Sequence, residues 1–208
     1  MTLIDFHTHH QQARQALISM DARDFSPQAG KVYSVGLHPW RSAHVSLHDL
    51  ERLNEAARCG QVLAIGETGI DTLRGASVEE QTMLFRHHVT LAQEVGKPLI
   101  VHSVRSAQQV IKTYREQRAG GLPLAVHGFR GNERVAQMLL KEGFYLSFGA
   151  RFNAAALAMT PADRMLIETD SDPVNIHEVA AMVALSLGID ERLLLRRVAE
   201  NCKRFLCL

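Results

Sequence analysis

The chain has 208 residues, 46% of them hydrophobic and 22% charged, which is the composition of an ordinary globular protein with length enough for one sizeable core. A formal net charge of +1 excludes whole-molecule attraction to a polyanion, though not a local patch of its arginines. Cys59, Cys202 and Cys207 make neither a CxxC pair nor a disulfide framework, and neither a signal-peptide pattern nor a bilayer-length apolar run is present, so a cytoplasmic protein without a membrane segment is expected.

Short β-like runs alternate with helical ones along the sequence. The first run, Leu3–Phe6, leads straight into His7-Thr8-His9. About two dozen residues separate it from the next, Val32–Leu37. Ser46 with Asp49 predicts a capped helix near 47–58. Val62–Gly66 is the third strand. Ser77 with Glu80 opens a helix near 78–95, ended by Gly96 and Pro98, with Leu84, His88, Leu91 and Val95 on its inward stripe. Strands at Leu99–Val101 and Leu124–Val126 precede a helix over 133–142 that Gly143 stops. Strands at Tyr145–Phe148 and Met165–Ile167 follow, and Asp190 caps a last helix over 191–205. The strands are aliphatic with little polar alternation, as in a parallel sheet buried on both faces.

Repeated β–loop–α units allow a doubly wound sheet or a (β/α) barrel. A dinucleotide-binding sheet carries a glycine-rich turn after its first strand, and here histidines stand there instead. In a barrel, functional residues sit at the C-terminal ends of several strands, which is the pattern found here. The expectation is a single domain over 1–208, an α/β fold of the TIM-type (β/α) barrel. Seven strands are visible where such barrels use eight and about 250 residues, so an abbreviated barrel is expected.

The chemistry-bearing residues follow the strand ends. His7 and His9 project the same way by period two, and two imidazoles together can bind a divalent ion. A lone HxH is a weak signal. Its weight comes from Glu67 after the third run, His102 after the fourth, His127 after the fifth, and Glu168-Thr169-Asp170 after the seventh. Polar groups where buried apolar runs stop are costly unless paired or metal-bound. Imidazole and carboxylate without thiolate suit Zn, Mg, Mn, Ni or Fe and select none of them.

The sequence resembles the TatD-like branch of the amidohydrolase superfamily, metal-dependent nucleases and hydrolases on a (β/α) barrel. The resemblance is carried by Asp5-x-His7-x-His9, Gly36-Leu37-His38-Pro39, Gly66-Glu67-Thr68-Gly69-Ile70-Asp71, His102 with Arg105, His127-Gly128-Phe129 and Glu168-Thr169-Asp170. It implies two divalent metal ions per chain: His7, His9 and Asp170 on the first, His102 and His127 on the second, with Glu67 bridging. Two such ions polarise a phosphoryl or acyl oxygen and lower the pKa of a bound water. Asp170, as general base, and Glu67 are the catalytic candidates, with support for Asp170 expected from Asp71 or His38. Arg105, His38 and Arg130 are the candidates for substrate contact, although Arg105 stands one residue later than the family's His-x-Arg.

The resemblance further implies a phosphoester or nucleic-acid end as substrate, as for a deoxyribonuclease, with neither membrane nor obligate protein partner. Hydrolysis of a C–N or C–O bond in a small molecule is the alternative, and a metal-binding scaffold without catalysis a third reading. Other residues have plain structural readings: His10 faces away from the pair, His88 lies on an apolar stripe, and Asp5 supports the loop. Arg41, Arg74, Arg105, Arg130 and Arg151 each follow a candidate strand. They could grip a phosphate together or form a solvated rim.

Overall fold

The computed structural model describes residues 2–117 and 121–208. It divides into two compact units, Ser19–Leu124 and a second made of Met1–Ile18 with Ala125–Leu208. Its strands are β1 (Asp5–Thr8), β2 (Ala16–Asp21), β3 (Val32–Gly36), β4 (Val62–Asp71), β5 (Leu99–Val104), β6 (Leu124–Val126), β7 (Tyr145–Phe148) and β8 (Met165–Ile167). The helices are α1 (Leu47–Ala57), α2 (Val78–Val95), α3 (Ala107–Glu116), α4 (Glu133–Lys141), α5 (Ala154–Met159), α6 (Ile176–Leu187) and α7 (Glu191–Phe205). The strands are hydrogen-bonded in chain order, β1 to β8. A parallel bridge between Thr8 and Asp170 joins β1 to the segment after β8.

Among the described residues eight strands, not seven, are present. The extra one is β2, whose Ala16, Leu17 and Ile18 are buried and whose register with β1 pairs Asp5 with Ala16 and Thr8 with Ile18. What is absent among the described residues is an α-helix between β1 and β2 and another after β2. A single 3-10 turn, Ala22–Asp24, stands there, capped by Asp21, whose carboxylate accepts from the Arg23 backbone N–H and pairs with its guanidinium at 2.7 Å. The asymmetry has a physical reason. Removing a strand from a parallel ladder orphans backbone donors and acceptors on both neighbours, whereas a covering helix takes its own hydrogen bonds with it.

Within Ser19–Leu124, α1 packs on β3 and β4, α2 on β4, and α3 on β4 and β5. Val35, Leu37, Ile65, Phe85, Val89 and Ile100 have no solvent exposure. The Ser46 and Ser77 capping boxes are both formed, and Gly96 ends α2 in the left-handed conformation at φ 65°. β4 and β5 run further than their apolar stretches suggest. The ladder continues through Gly69–His102 to Asp71–Val104, so Glu67 and His102 lie inside strands instead of just beyond them. Gly69 permits this: at φ 136°, a Cβ there would lie 2.1 Å from the His102 carbonyl oxygen.

In the other unit, Phe205 of α7 packs edge-on against Phe6 at 5.0 Å and Tyr145 at 5.4 Å. Burying such a ring stabilises by about 1.5–3 kcal/mol, and this one anchors β1 immediately before His7. Asp190 caps α7 by accepting from the Leu193 N–H. No helix among the described residues is long and apolar enough to cross a membrane.

Candidate metal centre

The first cluster belongs to the unit that contains β1 and β8. His7 lies on β1 with its side chain wholly buried, and His9 follows with its own 40% exposed. The segment after β8 is clamped to them: the Asp170 N–H donates to the His7 carbonyl at 2.9 Å, and the His9 N–H donates to the Asp170 carbonyl at 3.0 Å. Thr169 locks the same turn, its N–H and hydroxyl both donating to the Asp5 carboxylate, at 3.0 and 2.7 Å. Burial pushes the Asp5 carboxyl up to about 7 against the pull of those two bonds. Asp170 takes φ 51°, unusual for a residue with a Cβ. Such strain gathers at functional sites and persists only where the surroundings impose it.

This geometry aims the Asp170 carboxylate at the histidines. Its Oδ1 lies 3.8 Å from His7 Nε2 and 3.5 Å from His9 Nε2. Two atoms bound to one ion at roughly 2.0–2.2 Å are themselves about 3–4 Å apart, according to the angle between the bonds, so the separations fit a shared cation. His127, directly after β6, stacks on His7 at 4.2 Å, and ligand atoms of His7, His127 and Asp170 all lie within 4.8 Å of one another. Behind them Glu168, fully buried, accepts from the Gly128 N–H and stands 3.4 Å from His127 Nδ1. Burial works to raise the Glu168 carboxyl, but the hydrogen bond and charge of His127, with His7 adding, hold it below the usual carboxylate range. Glu168 therefore orients His127 as an outer carboxylate orients a metal-binding imidazole.

The second cluster lies in Ser19–Leu124. Glu67 Oε1 is 2.8 Å from His38 Nε2 and 2.8 Å from His102 Nδ1. His38 Nδ1 accepts the Trp40 N–H at 3.1 Å, so a neutral His38 carries its proton on Nε2 and donates to Glu67. On the far edge of His102, Nε2 is 3.3 Å from Asp71 Oδ2, which also takes the Trp40 indole N–H at 2.5 Å. Burial works to raise the Asp71 carboxyl, and its bonds from Trp40, Leu73 and His102 outweigh it, so it sits below the ordinary range. An Nε2–H held by Asp71 leaves the Nδ1 lone pair of His102 directed toward Glu67, where a cation would sit. The donors on both clusters are imidazole and carboxylate, and they fit a borderline-hard divalent ion.

His102 and His127 belong to different units, and each is held by its own carboxylate. Asp71 and His38, expected behind Asp170, serve His102 and Glu67. Arg105, at φ 52° directly after β5, and Arg130, three residues after His127, are both exposed. Arg41 pairs with Asp21 and Asp24, and Arg151 with Asp172. His10 contacts the Asp172 carbonyl, outside the cluster. Sequence reasoning assigned no role to Glu168 or to the Trp40–Asp71 pair. Glu168 was visible as a carboxylate following Leu166-Ile167, overshadowed by Asp170 two residues later.

The family described as TatD related DNase matches residues 21–206. The chain belongs to the TatD-related DNase family. YabD of Bacillus subtilis (strain 168), an uncharacterized metal-dependent hydrolase, is 33% identical over 152 residues, covering 69% of this chain and 60% of YabD. The Cronobacter sakazakii protein named 3'-5' ssDNA/RNA exonuclease TatD is 33% identical over 149 residues, 66% of this chain and 56% of that protein. This TatD-family chain thus matches a little over half the length of these two relatives. The crystal structure of YJJV, the TatD homologue from Escherichia coli K12, superposes with a TM-score of 0.85 over 99% of this chain and 98% of that one, at 21% identity. That likeness is one of fold, and the fold is the TIM-type (β/α) barrel.

Proposed function

We propose that this TatD-family protein, with residues 1–208 as one hydrolase domain, cleaves phosphodiester bonds at the end of a nucleic-acid strand with two divalent ions. The carrying observation is the pair of imidazole–carboxylate clusters, in each of which one nitrogen or oxygen atom from each of three residues lies within 4.8 Å of the others. His7, His9, Glu67, His102, His127 and Asp170 are the proposed ligands, and the bridging role of Glu67 rests on the family pattern. When bound, such ions polarise the phosphoryl oxygen and make water a better nucleophile.

The side chains supply the rest. Asp170, whose side chain is 29% exposed, takes the proton of the attacking water as its oxygen bonds to phosphorus and the ester P–O bond breaks. His38 holds the Glu67 carboxylate in place by donating from Nε2. Arg105 and Arg130, exposed and without a carboxylate partner among the described residues, contact the phosphate. The name of the Cronobacter relative supports a single-stranded DNA or RNA end as substrate. The free thiols of Cys59, Cys202 and Cys207 support a reducing cytoplasm.

Elemental analysis of purified protein, run beside a panel of 3′-phosphodiester ends, lactones and cyclic amides, tests the reading. About two ions per chain and phosphodiester cleavage lost with chelator and with Glu67→Ala are expected. Turnover of a lactone or cyclic amide alone assigns the centre to C–O or C–N bonds. Cleavage that survives complete metal removal overturns the mechanism.

A further inference from the structure

The chain has one tryptophan. Trp40 is 47% exposed, yet it is held on every side that the protein reaches. Its indole N–H donates to Asp71, and its ring stands edge-on to His38 at 4.9 Å and to His102 at 5.6 Å. The guanidinium carbon of Arg74 lies over the ring, 4.5 Å from its centroid.

The loop bearing Arg74 is built with equal care. Fully buried Gln81 accepts the Asp71 N–H, and its amide nitrogen donates to the carbonyls of Asp71, Arg74 and Ala76. The Ala76 N–H donates to the Ser42 hydroxyl, which donates to the Pro39 carbonyl. Gly75, at φ 88°, brings the loop so near that a Cβ would lie 2.1 Å from the Pro39 oxygen. A large aromatic side chain and a planar cation are thus fixed together beside the His38–Glu67–His102 cluster. Arg41 and Arg151 spend their donors on carboxylates. Arg74 has no carboxylate partner among the described residues; it meets Trp40 instead.

We infer that Trp40 and Arg74 form the subsite for one nucleotide at the strand end, the indole stacking its base and Arg74 gripping a phosphate. The inference rests on the phosphodiesterase reading above. Stacking on indole tolerates any base, because every base has a π-face. A stacked guanidinium keeps its outer N–H groups in a plane that matches phosphate oxygens. Contacts from the same indole to His38 and His102 place the adjoining phosphate beside the second cluster. One ring holds one base, which suits an end and not a long track.

The single tryptophan makes the test direct. Metal-loaded protein is titrated with a phosphorothioate-linked trinucleotide and with the same chain lacking its bases, while tryptophan emission is followed. The base-bearing chain is expected to quench the emission and to bind roughly tenfold tighter than the base-free one. Arg74→Ala should weaken both chains alike, by roughly tenfold, and keep the preference for bases. In Trp40→Leu, read by anisotropy of a tagged chain, the preference should vanish, and Trp40→Phe should restore most of it. A merely structural tryptophan would lower affinity for both chains without erasing their difference.

The inference is overturned if neither chain binds, if a bound base-bearing chain leaves the emission unchanged, or if Trp40→Leu keeps the preference. Cleavage of an ordinary phosphodiester trinucleotide, measured in parallel, separates the two claims. Cleavage indifferent to Trp40 and Arg74 sinks the subsite alone. Quenching without any cleavage sinks the phosphodiesterase reading and leaves a nucleotide-binding surface.

Discussion

His88 is closed at both ring nitrogens. Its Nε2 accepts the Leu37 N–H at 2.9 Å, so its proton sits on Nδ1 and goes to the Leu84 carbonyl at 2.8 Å. Burial, with nearby His87 adding, pulls it down to about 4, while its Leu84 bond and the more distant Asp21 pull the other way. An unfolded His takes up a proton below about 6.5. The folded one resists, so stability is full above that pH and falls as pH drops toward 4. The loss should reach about 3 kcal/mol. Denaturant midpoints for wild type and His88→Gln, compared from pH 4 to 7, check this; equal slopes would refute it. At the site, Asp170→Asn should lower turnover by at least about 100-fold with the fold retained, read by kcat beside circular dichroism. The metal-ligand candidates were legible because a polar residue at the end of an aliphatic run is conspicuous. Glu168 and Asp71 were less so, since a carboxylate that acts through an imidazole shows itself only when the two side chains are seen to meet.

Strands and helices repeat that contrast. The boxes at Ser46 and Ser77 are local patterns, and the helices begin where those patterns say. Ser77→Ala should cost about 1 kcal/mol, measurable as a lower thermal midpoint. β2 was missed because Ala16-Leu17-Ile18 is short and bordered by polar residues, and only its pairing with β1 makes it a strand. The lengthening of β4 and β5 is likewise tertiary, resting on a glycine that lets two backbones close up. Gly69→Ala would force a Cβ onto the His102 carbonyl. Its expected cost is about 1–3 kcal/mol, together with loss of bound metal as Glu67 and His102 move apart. Metal content unchanged in a folded Gly69→Ala protein would show that the ladder does not set the site.

At the scale of the molecule, a net charge of +1 offers little long-range pull on a nucleic acid, so under the proposed function affinity has to come from the few phosphates near the centre. Binding of a phosphorothioate oligonucleotide should fall with salt at a log–log slope of only about −1.4 to −2.1, two or three contacts at roughly −0.7 each. A slope several times steeper would indicate an extended track. Metal occupancy should also appear in stability: an ion held at about 100 times its Kd adds about 2.7 kcal/mol, so chelation should lower the thermal midpoint. The bridge from Thr8 to Asp170 has a further meaning in time. As the chain leaves the ribosome, Glu67, His38 and His102 can meet once residue 124 has emerged, but His7 and His9 must wait for a partner 161 to 163 positions downstream. Closing so long a loop is slow. Of the residues in the two clusters, these two histidines are thus among the last to find their place, and under the proposed function the ion they hold is loaded late.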